Sequence, residues 1–236
     1  MTIPKYINVE GKISDIIQQN PYLLLMFEHF GIFMPFLEKN LKDVCEEEGL
    51  NKDLLILFIN LFNDENFKYN IQLTSLDANT IISYLKNSHA YYIKEKYPKI
   101  QLAIKKMYKT NNNQEIKLVE KFFNDYFDEV KEHFVYENKV VFPYINQLLK
   151  NEGKEIITQH KYSVAQYKEH HDDIEEKLLD LKKLLIKYLP NQISQQLRRE
   201  LILTLFDLEY DLHIHSKIEN MILIPLVENM EQNISQ

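Results

Sequence analysis

Twice in this chain a histidine is followed four residues later by a glutamate, then at once by an asparagine, and later by a proline. The copies are His133, Glu137, Asn138 and Pro143, and His215, Glu219, Asn220 and Pro225, so both read H-x3-E-N-x4-P. Residues four apart lie on one face of a helix, and each copy can therefore aim an imidazole and a carboxylate at the same point. Those are the donors of a metal site without thiolates. An acid also precedes each histidine by four residues, Glu129 in one copy and Asp211 in the other, which carries the polar stripe one turn further.

The repetition extends beyond the motif. His89 lies 44 residues before His133, and His171 lies 44 residues before His215, so the chain holds two copies of His plus His-x3-Glu related by 82 positions. His170 competes with His171, and both the 44-residue spacing and the following Asp172-Asp173 favour His171. His213 stands about 200° around a helix from His215, and the spacing to Glu219 selects His215. His29 and His160 match no part of the repeat and read as surface or satisfied core residues. Six converging donors exceed what a tetrahedral structural zinc takes, and with Cys45 as the single cysteine there is no thiolate cluster for zinc or copper(I). Mixed imidazole and carboxylate ligation points to iron or manganese. Two glutamates from facing helices can each bridge two metals, leaving two histidines per metal and one open position. With both irons ferrous, four positive charges meet two negative ones, and a bridging oxide or hydroxide absorbs much of the rest, which suits a di-iron core.

These donors need long helices to bring them to one depth. Four Gly, seven Pro and no Trp in 236 residues, with 45% hydrophobic and 27% charged side chains, indicate an all-α globular protein rather than a disordered one. Short helices are expected over residues 1–71: Ser14 to Gln19, one from Pro21, Leu41 to Glu48, and Asn51 to Phe62. Gly31 and Gly49 should fall just past helix ends. From residue 72 to 232 the pattern becomes long and periodic. It predicts helices from Asp77, as N-cap, to Tyr108 with a bend at Pro98, then Gln114 to Leu149, Lys154 to Tyr188, and Ile193 to Glu228. Pro143 and Pro225 should mark a bend or a helix end. Four such helices with short connections make an antiparallel up-down-up-down bundle with donors on every helix. Tyr91, Tyr92 and Tyr136 read as bundle core rather than redox groups.

A net charge of -7 gives no field for holding phosphate backbones, so nucleic acid is not an expected partner. The single cysteine fits a reducing cytoplasm, the first twenty residues lack the basic start and apolar core of an export signal, and no apolar run approaches the roughly 20 residues of a membrane span.

With the motifs in place, the chain resembles the hemerythrin-like di-iron proteins for repair of iron–sulfur clusters. His89 to Pro98 resembles that family's first-helix motif, Glu169-His170-His171-Asp172-Asp173 its third, and Asp211 through Pro225 its fourth. The resemblance also takes in the small N-terminal helical domain, through Asn20-Pro21, Phe27 to Ile32 and Leu41 to Leu50. That domain usually carries a paired-cysteine, glycine-rich segment after the Gly-Ile step, where this chain has Phe33-Met34-Pro35-Phe36. The resemblance implies two irons held by His89, His133, Glu137, His171, His215 and Glu219, with Glu129 lining a route for ions, and a tendency to form homodimers. It implies repair of iron–sulfur proteins damaged by nitrosative or oxidative stress, with the centre as a source of iron. Two other readings remain open: a sensor or binder of oxygen or nitric oxide, and a di-iron reductase of nitric oxide or peroxide.

Overall fold

The computed structural model describes residues 10–33, 39–64, 67, 73–111, 113–150, 162–169, 174–189 and 192–234. They are helical throughout, and the bridge between Lys12 and Asn40 is the one extended pairing among the described residues. No helix among them is long and apolar enough to cross a membrane. The chain divides into two compact units, Met1–Ser88 and His89–Gln236. The expected boundary at residues 71 and 72 lies outside the described residues.

The first unit contains α1 (Ile13–Gln19), α2 (Leu23–His29), α3 (Leu41–Glu48), α4 (Lys52–Asn63) and most of α5 (Ser75–Tyr91). Side-chain amides set its helix starts: Asn40 accepts from the Asp43 N–H at 2.8 Å, and Asn51 from the Asp53 N–H at 2.9 Å. Gly49 closes α3 in the left-handed region at φ 64°, where a side chain would be strained. Asn20 bonds the far end of α4 through Phe62 O at 3.0 Å and Asn63 Oδ1 at 2.8 Å, which explains the conspicuous Asn20-Pro21 step. α5 begins at Ser75, two residues before the expected Asp77, because Asp77 reaches back to the Thr74 N–H and hydroxyl at 2.6 and 2.8 Å. The carboxylate three residues on thus satisfies the N–H of the residue in the cap position, the return half of a capping box. His29 is buried, edge-on to Tyr84 with ring centres 5.3 Å apart.

The second unit is a four-helix bundle. Its first helix is the end of α5, a π-helical turn (Tyr92–Lys96) and α6 (Tyr97–Asn111). Its second is α7 (Gln114–Tyr136), a π turn (Glu137–Val141) and α8 (Phe142–Lys150). The third contains α9 (Val164–Glu169) and α10 (Ile174–Tyr188), and the fourth is α11 (Gln195–Lys217), a π turn (Ile218–Leu223) and α12 (Ile224–Ile234). α6 packs on α7 and α11, and α10 packs on the same two, closing the ring. Leucines 178, 181, 185, 201, 205 and 208 fill it with Tyr97, Phe123 and Phe127. Of the expected third helix, residues 154–161 and 170–173 lie outside the described residues.

Proline does not end these helices or stand alone as a bend. Pro98, Pro143 and Pro225 each follow directly on a residue whose N–H reaches back five positions instead of four: Tyr97 to Tyr92 O, Phe142 to Glu137 O and Ile224 to Glu219 O. A proline ring clashes with the carbonyl four residues back and donates nothing to it, and one extra residue in the turn accommodates both defects while the helix continues.

Cys45 is buried on α3, and burial pushes its thiol above the ordinary range. In the native protein it should react with a disulfide reagent at mildly alkaline pH at least about tenfold more slowly than in denaturant. A stopped thiol titration reads this, and equal rates would show the thiol to be exposed.

Candidate metal centre

The two His-x3-Glu pairs sit where α-helix gives way to π turn. His133 is in the last turn of α7 and Glu137 opens the π turn, while His215 is near the end of α11 and Glu219 is the second residue of its π turn. The Glu137 N–H is accordingly shared between the carbonyls of His133 and Phe134. His89, near the end of α5, faces them across the bundle.

His89, Glu137, His215 and Glu219 each offer an imidazole nitrogen or carboxylate oxygen, and these four atoms lie within 4.8 Å of one another. Nε2 of His89 is 3.2 Å from Nε2 of His215 and 3.2 Å from Oε2 of Glu137. Nε2 of His215 is 3.3 Å from Oε1 of Glu219. His133 Nε2 approaches the other oxygen of Glu137, Oε1, at 3.1 Å. The tyrosine of α9 adds a donor, since the Tyr167 hydroxyl gives its proton to Glu137 Oε1 at 2.8 Å. Both carboxylates are at most 1% exposed. Phe134 stacks on the His89 ring at 4.1 Å and keeps water from that side.

Such burial governs the charges. Burial and the neighbouring Glu219 push the Glu137 carboxyl up, but the adjacent imidazoles of His133 and His89 outweigh them and leave it below its usual range. Burial pulls His89 down, with partial relief from Glu137. Burial also opposes charge on His215, yet Glu219 and Glu137 raise it above the ordinary histidine value. The donor set fits a metal on two observations. Two imidazole nitrogens 3.2 Å apart both point inward, and they can coexist only with a proton or a cation between them. Oε2 of Glu137 is buried without a hydrogen-bond donor, a state that costs about 1–3 kcal/mol and that a cation relieves. All donors are nitrogen or oxygen, which suits iron, manganese or zinc more than copper(I).

Of the six residues singled out from the sequence, the structure brings His89, Glu137, His215 and Glu219 into one cluster, with His133 against the outer oxygen of Glu137. His171, like its neighbour His170, lies outside the described residues. His213 is half-buried on another face of α11. The two acids that precede the motif histidines part company: Asp211 is buried and accepts from the Tyr92 hydroxyl at 2.6 Å, whereas Glu129 is exposed and ion-paired with Lys177. Tyr92 lies edge-on to the His215 ring, 5.8 Å between centres. Tyr136 bonds the Tyr162 hydroxyl at 3.0 Å. Spacing alone did not single out Tyr167, although it stands four residues before His171 and so carries the same helical-face signal as the motif pairs.

No family model matches the chain. Over 218 residues it is 23% identical to the protein of Staphylococcus haemolyticus (strain JCSC1435) named iron-sulfur cluster repair protein ScdA, a similarity covering 91% of this chain and 96% of that protein. The chain is a distant relative of a cluster-repair protein. That relative agrees with the family that the motifs resemble, and its coverage takes in both compact units.

The Tyr92 hydroxyl supplies a buried charge-assisted bond to Asp211. Tyr92→Phe should therefore lower stability by about 1–3 kcal/mol. Denaturant unfolding of the variant beside the wild type reads the loss, and an unchanged midpoint would show that the bond adds nothing.

Proposed function

We propose that this chain is a di-iron protein that helps repair iron–sulfur clusters damaged by nitrosative or oxidative stress, and that it does so as a donor of iron. The observation that carries this reading is the buried Glu137 carboxylate lying between two imidazoles, one oxygen 3.2 Å from His89 and the other 3.1 Å from His133. A carboxylate so flanked can serve one ion through each oxygen, which supports a pair of ions over a single one. His89, His215 and Glu219 would hold the first with Oε2 of Glu137. His133 would hold the second with Oε1, and His171 is proposed as its further imidazole. An oxo or hydroxo bridge between the irons would balance the charge the two carboxylates leave over.

Ferrous iron is then the cargo, and a damaged iron–sulfur protein is its recipient. Imidazoles and carboxylates hold ferrous iron less firmly than thiolates, and both can be protonated, so these side chains can load and unload. The similarity to a protein named for cluster repair supports the task. A reducing cytoplasm is the proposed setting. Cys45 is buried, single and hard to ionise, so the first unit contributes no dithiol of its own.

Protein from iron-supplied cells should carry about two irons per chain, and in its loaded form should reactivate a cluster-damaged hydratase that free ferrous iron also reactivates. If the hydratase stays inactive with loaded protein present, donation is wrong, and steady turnover of nitric oxide or peroxide with a reductant would favour a reductase. Release to a ferrous chelator should quicken as pH falls from about 7.5 to about 5.5, because protons compete with the ion for imidazole and carboxylate. A release rate indifferent to pH would argue against these ligands.

A further inference from the structure

Tyr167 has the geometry of a working part of the centre. Its side chain is 1% exposed, and its hydroxyl is aimed at the carboxylates: it donates to Glu137 Oε1 at 2.8 Å and lies within hydrogen-bonding reach of Glu219. The other fully buried tyrosines that bond side chains serve elsewhere, Tyr92 on Asp211 and Tyr97 on Tyr126. A phenylalanine would fill the same space without stripping water from a hydroxyl, so the oxygen has a task at that spot.

The bond makes the two oxygens of Glu137 unequal. Oε1 receives Tyr167 and approaches His133, at 2.8 and 3.1 Å, while Oε2 lies 3.2 Å from His89 and is buried with no hydrogen-bond donor. A carboxylate oxygen has room for more than one partner, so Tyr167 can keep its bond while Oε1 also serves an ion. The phenol thereby fixes the rotation of the carboxylate with one oxygen toward His89 and the other toward His133. We propose that Tyr167 is a positioning residue that presets Glu137 for a pair of ions, and that the ion taking His133 as ligand depends on it more than the ion taking His89 and His215. This rests on the di-iron reading above. Groups that orient a ligating side chain are typically worth about 10–100-fold in metal affinity.

The test is anaerobic titration of metal-free full-length protein with ferrous iron, for the wild type, Tyr167→Phe and Tyr144→Phe. Tyr144 is the control because its hydroxyl donates to Glu231, away from the centre. Wild type and Tyr144→Phe should take up two ions. Tyr167→Phe should weaken the second ion about 10–100-fold and the first by markedly less, with the melting temperature of the metal-free protein close to that of the wild type. Two unchanged affinities would overturn the proposal, and so would a parallel loss of both ions together with a lowered melting temperature, which marks a packing role. A wild type that binds no second ion overturns the di-iron reading itself. If Tyr167→Phe does not fold, the tyrosine ultraviolet difference spectrum of Tyr144→Phe decides: a change confined to the second equivalent of iron supports the assignment, and none overturns it.

Discussion

Two carboxylates buried side by side in the interior of an apolar bundle are the constraint around which the second unit is organised. Each is at most 1% exposed, and each raises the cost of ionising the other. Such a pair persists only with donors on every side, and the bundle brings them from its helices: His89 from the first, His133 from the second, Tyr167 from the third and His215 from the fourth. The leucine-rich layers between α6, α7, α10 and α11 supply the burial energy that lets so polar a centre exist.

The π turns belong to the same design. Among the described residues they occur on the three helices that carry His89, His133 with Glu137, and His215 with Glu219, each ending two residues before a proline. An extra residue in a turn widens it and changes the direction of the side chains on either side, and it often marks a functional site. Here it lets a helix keep its length past a residue that cannot donate, while in the second and fourth helices the glutamate near the start of the wide turn is directed at the histidine one turn earlier.

Helical class, the four-helix pattern and the meeting of His89, Glu137, His215 and Glu219 were legible because they depend on period and spacing, which a linear sequence states openly. What spacing could not separate was the fate of Glu129 and Asp211. Both precede a histidine by four residues, yet one faces Lys177 at the surface and the other is buried against Tyr92. The difference arises from the neighbouring helix, and a local period carries no record of the residue across the gap. Tyr167 is hidden in the sequence for a related reason, since a tyrosine among apolar residues reads as core unless a carboxylate lies within reach of its hydroxyl. The start of α5 and the passage through three prolines depart from expectation because backbone bonding decides both. Asp77 acts as the partner of a cap, and the wide turns remove the need for a break.

The wide turns also set how the bundle can tolerate changes of length. Each holds one residue beyond the α-helical count, and one α-helical residue corresponds to about 100° of rotation. A one-residue deletion within 138–141 or 220–223 would tighten the turn and leave the far segment, α8 or α12, in phase with the bundle, while returning the proline to its clash with the carbonyl four residues back. The same deletion a turn earlier, between histidine and glutamate, would swing the imidazole away from its carboxylate. Deletions in this chain therefore have a polarity: compatible with helical phase on the proline side of each glutamate, and ruinous to coordination on the histidine side.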